Sequence, residues 1–325
     1  MSKAPRRLRA RGHVLAPSGD PFGALGKGPI DEGWSRTALA IVRAAGIVLW
    51  TAVCIPTQAV CLLLPGEAKI AIPRIYWRGM CFCAGLSLRE VRLAQTPPHG
   101  RTPHGRTPEG RPVVYIANHS SWLDILVLGA LLPAAFVSKG EVQGWPLIGL
   151  IARLGRTVFV ERRRSSTGRE RDAMRERLAG GHNLILFPEG TSSDGTRVLP
   201  FRPTFFAVSA AGEDVAPIVC PVSLVYDRVG FLPAGRATRP LFAWYGDMDL
   251  LPHAWRLLRQ RGVRASVLYA PAMDPAAFGD RKALSAAAWR VVADGAATLR
   301  QNREPASVPV APAPADTAPP DAAYA

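Results

Sequence analysis

The chain has 325 residues, 48% of them hydrophobic, a formal charge of +15 at pH 7 and a pI of about 10.5. That length gives one large domain or two small ones, with apolar residues enough for a sizeable core. The charge calls for a polyanionic partner, and nucleic acid is set aside because there is no zinc-finger spacing, no aromatic-basic ribonucleoprotein stretch and no basic helix with heptads.

Residues 1–36 are basic and rich in Gly and Pro, with Arg6, Arg7, Arg9 and Arg11 close together, and are expected to form a disordered arm. Residues 44–65 carry no charge and are long enough to cross a bilayer core, which needs about 20 apolar residues. The run starts too far in for a signal peptide. Pro56 and Gln58 interrupt it, so a kinked span and a re-entrant hairpin are both open. Arg36 and Arg43 precede it and basic residues follow, which favours entry and exit on one face. In residues 70–88, Ile70, Ile72, Tyr76, Trp77 and Phe82 mix with Arg74, Arg78 and Arg89. This reads either as an interfacial amphipathic helix or as a helix packed on the globular part. Membrane-embedded and interfacial helices are thus expected over 37–92.

Residues 93–112 form a linker in which Pro-His-Gly-Arg-Thr occurs twice before Pro-Glu-Gly-Arg-Pro, so His99 and His104 read as solvated. From 113 to 302 short apolar runs alternate with helical patterns. Strands are expected at 113–117, 135–138, 157–160, 184–187, 215–225 and 265–269, and helices after 122, at 145–155, 168–178, 202–211 and 282–300. Alternation of this kind implies an α/β fold, a central mixed sheet flanked by helices. Residues 303–325 are a Pro- and Ala-rich tail. The five cysteines, Cys54, Cys61, Cys81, Cys83 and Cys220, form no regular framework and no zinc-binding set. They read as buried thiols in a reducing compartment.

The chemistry concentrates in four stretches. The first, 113–124, reads Val-Val-Tyr-Ile-Ala-Asn-His-Ser-Ser-Trp-Leu-Asp. It puts His119 in a strand-to-helix turn and Asp124 in the helix's first turn. On one continuous helix, residues five apart diverge by about 140° and would not meet. With His119 before the helix, its ring can fold back onto Asp124, which fixes the tautomer and leaves the other nitrogen free as a general base. Ser121-x-x-Asp124 also fits a loose capping box, so a purely structural Asp124 is the competing reading. The second stretch runs from Gly155 through Phe159 to Arg162, where an arginine after a strand suits bidentate phosphate binding. Arg163 and Arg164 read as solvated. The third, Phe187-Pro188-Glu189-Gly190-Thr191, follows a strand's carboxyl end, where ligands of open α/β sheets bind. The fourth, around Pro217 and Pro221, reads as an edge strand or as the wall of a slot for an apolar tail.

In order and spacing these four stretches resemble the glycerolipid acyltransferase family typified by bacterial 1-acyl-glycerol-3-phosphate acyltransferase. The family's His-x4-Asp motif is matched by His119 and Asp124, and its Gly, Phe and Arg motif by Gly155, Phe159 and Arg162. Its Phe-Pro-Glu-Gly-Thr motif is matched without change by residues 187–191, and its proline motif by Pro217 and more loosely Pro221. The resemblance implies that His119, oriented by Asp124, deprotonates a lysolipid hydroxyl that attacks an acyl thioester on coenzyme A or acyl carrier protein. Arg162 would hold the acceptor's phosphate. Phe187, Pro188, Glu189, Gly190 and Thr191 would build the acceptor site, and Pro217 the acyl pocket. No covalent acyl-enzyme, metal or cofactor enters this scheme, and neither Ser120 nor Ser121 is a nucleophile. Lysophosphatidate is the leading acceptor. The continuation Thr-Ser-Ser-Asp-Gly-Thr-Arg-Val-Leu-Pro-Phe over 191–201 looks like the lyso-ornithine lipid subgroup, which is the runner-up. A non-catalytic lipid-binding scaffold would require a broken motif. The expected location is the inner membrane, with the catalytic domain facing the cytoplasm on an anionic surface.

Overall fold

The computed structural model describes residues 33–93, 107, 110–160, 167–209, 217–230, 232–235 and 238–303, with the backbone alone for 167–171. The expectations for the arm before residue 33, for most of the linker, for Arg162, Arg163 and Arg164 and for the tail after 303 lie outside the described residues.

The first apolar run forms one continuous helix, α1 (Trp34–Leu63), which passes through Pro56 without a hairpin turn. It starts ten residues before the uncharged stretch because its two arginines have docking sites. Arg36 donates to the Arg259 carbonyl at 3.2 Å, and Arg43 to the carbonyls of Leu258 and Gln260 at 3.0 and 2.5 Å. The chain reverses at residues 64–67, and α2 (Ala68–Ala84) returns antiparallel along α1, with the Trp50 indole donating to the Tyr76 carbonyl at 2.9 Å. A left-handed Gly85 (φ 75°) stops α2. The residues assigned to the end of an interfacial helix are instead β1 (Leu86–Arg92), so the sheet begins well before residue 113. Leu86 and Leu88 alternate with the polar Ser87 and Arg89 as in a strand, and β1 runs parallel to β8 with Leu86 opposite Val263.

The remaining elements are β2 (Val113–Ala117), α3 (Leu123–Leu131), β3 (Ala134–Lys139), α4 (Ile148–Leu154), β4 (Val158–Val160), α5 (Thr167–Ala179), β5 (Asn183–Leu186), β6 (Ile218–Val229), β7 (Leu232–Pro233), α6 (Leu250–Leu258), β8 (Val263–Tyr269) and α7 (Arg281–Arg300). The helix expected at 202–211 is a 3-10 turn over Pro203–Ser209. The sheet order is β1-β8-β6-β2-β5-β3-β4, with β7 paired to β6. The β6–β8 and β6–β7 pairings are antiparallel and the rest are parallel, which makes the sheet mixed as expected. All five residues of β2 are buried, as a parallel strand covered on both faces should be. Tyr115, Ala117, Ile185 and Phe136 face α2, α3 and α6, while Val114, Ile116, Leu184 and Leu186 face α5 and α7.

β6 is an interior strand, not an edge. It tolerates Pro221 because the antiparallel ladder with β8 starts one residue later, at Val222 opposite Tyr269.

Candidate active site

His119 leaves the carboxyl end of β2 and Asp124 enters the first turn of α3. The ring folds back as the spacing required: Nδ1 lies 2.8 Å from Asp124 Oδ2. The same Oδ2 accepts the backbone N–H groups of Ser120 and Ser121 at 2.7 and 2.9 Å. Oδ1 accepts the Tyr226 hydroxyl at 2.6 Å. Asp124 is fully buried, so its charge is met by four donors in place of water. The two readings of Asp124 therefore hold together, since one carboxylate both fixes the turn and orients the imidazole. Tyr226 is buried too; burial and the Asp124 charge drive its pKa well up, so it stays a donor. Nδ1 being engaged, Nε2 is the nitrogen left for a substrate, and among the described residues no hydrogen bond occupies it.

Two other segments clamp the turn. From β6, the backbone N–H and carbonyl of Leu224 pair with the Asn118 side chain at 2.8 and 2.9 Å. From the loop after β5, Glu189 Oε1 accepts the His119 N–H at 2.6 Å, and the Ser193 N–H donates to the His119 carbonyl at 2.9 Å. Glu189 Oε2 accepts the Leu199 N–H at 2.8 Å. Both carboxylate oxygens are thus turned onto backbone, and the residue is 2% exposed. Burial pushes its pKa up to about 8, aided by Asp124, against the pull of the two backbone donors and of Arg300.

The third motif lies beside the base. The Phe187 ring stacks on His119 with centroids 4.2 Å apart, Pro188 is buried and Thr191 is exposed. Gly190 has φ 70°, and the Arg202 guanidinium packs over it so closely that a Cβ would sit 3.2 Å from Cζ. Glycine is favoured there by the backbone angle, and a larger residue would also push the Arg202 side chain aside by a few tenths of an ångström. Pro217 does not join this group. It is buried just before Ile218, which pairs with Val113 at the start of β2, so it sits at the opposite end of the sheet from His119. The strand register thus separates Pro217 from His119 by the length of β2, so any acyl-pocket wall it forms lies away from the imidazole. Motif reading also missed Tyr226, Ser193 and the docking role of Asn118. Only Tyr226 left a trace in the sequence, because a tyrosine amid a buried apolar strand needs a partner for its hydroxyl.

The Acyltransferase family profile matches residues 101–225. The lyso-ornithine lipid O-acyltransferase of Rhizobium meliloti is 34% identical over 293 residues, covering 89% of this chain and 95% of that protein. The chain belongs to the glycerolipid acyltransferase family. The lyso-ornithine lipid O-acyltransferase of Brucella abortus is 37% identical to this acyltransferase, over 71% of the chain and 84% of the relative. The 1-acyl-sn-glycerol-3-phosphate acyltransferase of Neisseria meningitidis is 33% identical, over 64% and 73%. The Thermotoga maritima 1-acyl-sn-glycerophosphate acyltransferase PlsC shares the fold, with a TM-score of 0.54 at 19% identity, over 82% of this chain and 95% of that one.

Proposed function

We propose that this acyltransferase moves a fatty acyl group from a thioester onto the free hydroxyl of lyso-ornithine lipid, with His119 as general base. The hydrogen bond between His119 and Asp124 carries the chemical reading. Nε2 takes the acceptor's hydroxyl proton as its oxygen bonds to the thioester carbonyl carbon. The carbon–sulfur bond then breaks, and the leaving thiolate recovers the proton from Nε2. Asp124 keeps the tautomer and stabilises the imidazolium. The donor is acyl-coenzyme A or acyl carrier protein, whose acidic character suits a chain of charge +15.

The choice of acceptor reverses the order suggested by the motifs. The relatives that match over 89% and 71% of the chain carry the lyso-ornithine name, and the lysophosphatidate relative matches over 64%. Lysophosphatidate remains the second reading because of that relative and because Arg162 matches the arginine of the family's second motif in sequence. Offering each acceptor separately to membranes containing the protein separates the two. Turnover of lyso-ornithine lipid at least tenfold above lysophosphatidate, about 1.4 kcal/mol of discrimination, supports the reading. The reverse preference replaces the acceptor and keeps the mechanism.

We further infer that the enzyme sits on one leaflet. α1 is long and apolar enough to cross a membrane, with Val48, Leu49, Val53 and Val60 exposed. Its Arg36 and Arg43 are held by the end of α6, and Gln58 donates to the Leu154 carbonyl at the end of α4 at 2.9 Å. A helix fastened at both ends to the same domain lays its apolar side into a bilayer without traversing it. The five free cysteines and a cytosolic acyl donor favour the cytoplasmic face of the inner membrane.

A further inference from the structure

The end of the sheet remote from His119 holds a solvent-open recess. Four elements build its polar wall. Lys69 and Arg74 come from α2, Arg156 follows α4, Arg177 ends α5, and His182 precedes β5. No Asp or Glu is among the described residues lining it. The like charges of Arg156 and Arg177, and of Arg74 and its neighbour Arg78, repel one another; the acid that offsets part of this at Arg74, Glu90, lies outside the lining residues.

The details sharpen this. Arg156 holds a left-handed backbone angle, φ 63°, which a side chain rarely adopts. Its guanidinium lies 2.8 Å from His182 Nε2, and burial together with the Arg177 charge lowers its pKa. Arg74 Nε is buried with no hydrogen-bond partner, and a terminal nitrogen reaches the Leu131 carbonyl only at 3.4 Å. A strained arginine, like-charge crowding and an arginine with an unmet buried donor thus occur together in the wall of one recess. Such a set matches an anion with several oxygens, and phosphate fits the arginine forks.

A second, apolar recess adjoins the first. Pro73, Trp77, Ile151 and Gly155 are common to both. This slot runs between α1, α2 and α4, where Cys54, Ile55, Ile72 and Leu154 give it an apolar lining. Trp77, which lines both, packs on Gly129 of α3, where a Cβ would meet the indole at 2.4 Å. Beside the slot, Trp145, Leu147 and Leu150 expose apolar surface, as do Val53 and Val60 of α1. A charged head chamber thus opens into a hydrocarbon slot on the side that faces lipid.

We propose that recess and slot together bind one anionic phospholipid from the bilayer, its phosphate among Arg74, Arg156 and Arg177 and one acyl tail between α1 and α2. This is a site separate from the catalytic one. The Phe187 and Phe136 rings stand between it and His119, Phe187 being 4.2 Å from the imidazole and Phe136 a further 6.3 Å on, centroid to centroid. An acceptor whose hydroxyl meets Nε2 has its headgroup only a few bonds away and cannot also fill the recess. The bound lipid would pin the α1–α2 hairpin to the sheet. The proposal does not depend on which lysolipid is acylated.

The test is native mass spectrometry of the full chain in neutral detergent, with phosphatidylglycerol and phosphatidylcholine of matched chains added in equal amounts. The wild type retains one phosphatidylglycerol, favoured at least about tenfold, the scale of one charge-assisted contact. Arg156→Gly and Arg177→Gln bring retention down to the phosphatidylcholine level, and Arg281→Gln on exposed α7 leaves it unchanged. Arg156→Gly suits the left-handed angle, so its thermal melt stays at or above that of the wild type. Equal retention of both lipids overturns the proposal, and so does phosphatidylglycerol retention that survives both substitutions. Displacement by equimolar inorganic phosphate also overturns it, since it makes the recess a free-anion site and not a lipid site.

Discussion

Asp124 holds four donors at once, and each restrains the base in a different way. His119 Nδ1 sets the tautomer, the N–H groups of Ser120 and Ser121 set the turn, and the Tyr226 hydroxyl fixes the carboxylate from the neighbouring strand. Tyr226→Phe removes one donor to a buried charge, a loss of about 1.5–3 kcal/mol. We expect kcat to fall about tenfold or more with KM for the acceptor little changed, since the base is displaced and the binding site is not. A kinetic comparison of the purified variant checks this, and an unchanged kcat would remove Tyr226 from the positioning of the base. Glu189 gives a pH prediction. Its pKa rises from 4.5 to about 8 on folding, so between those values the folded chain holds a proton that the unfolded chain releases. Its contribution to stability is full below pH 4.5 and is lost as the pH rises toward 8. Glu189→Gln flattens that window in thermal melts at a series of pH values. It also sets an amide N–H₂ against one of two backbone donors, so activity falls with it. The His119–Asp124 pair was legible because both partners lie within one strand–turn–helix. The inward role of Glu189 and the contact from Tyr226 were not, because their partners lie 70 and 102 residues away in the chain.

At the scale of elements, local signals predicted most of the α/β body, and tertiary contacts decided the rest. β2, β4, β5, β8 and α7 carry runs whose period names their type, and they stand within two residues of where the sequence put them. β1 alternates polar and apolar residues and was absorbed into the preceding helical pattern. Its partner β8 begins at Val263, far along the chain, so no short window contains the pairing. Helix α6 (Leu250–Leu258) was missed altogether, its short run being interrupted by Pro252 and His253. The junction of α2 and β1 depends on Gly85, whose backbone is left-handed and whose missing Cβ leaves room for the Arg43 guanidinium. Gly85→Ala forces both an unfavourable angle and a collision, costing about 1–3 kcal/mol. A lowered melting temperature with β1 pairing loosened is the expected result, read by calorimetry and amide exchange at residues 86–92.

For the whole molecule, a basic chain carries an apolar hairpin along one side of an α/β body, with the base at the carboxyl end of the central strand. Under the proposed function, that arrangement serves to bring an acyl thioester and an insoluble lysolipid to the same nitrogen. The one-leaflet proposal also predicts sidedness. Single reactive labels placed at Ser35, before α1 is docked, and at Glu67, in the reversal after it, are both exposed. They are expected to react from the same side of anionic vesicles. Reaction from opposite sides would mean that α1 crosses the bilayer and leaves its contacts with α4 or α6. The apolar character of α1 was legible in the uncharged stretch at 44–65, but its docking was not, because Arg36 and Arg43 read as flanking charges until the carbonyls at the end of α6 are placed beside them.

The proposed function stands on His119, held by Asp124, taking the proton from the lysolipid hydroxyl. The most direct measurement is the rate of acyl transfer to lyso-ornithine lipid by the wild type and by His119→Ala, with folding verified by matched thermal melts. Loss of a general base of this kind predicts a fall of about 100- to 10,000-fold in kcat, with donor and acceptor still bound. Transfer by His119→Ala at a rate near that of the wild type would contradict the account and move the base elsewhere in the site.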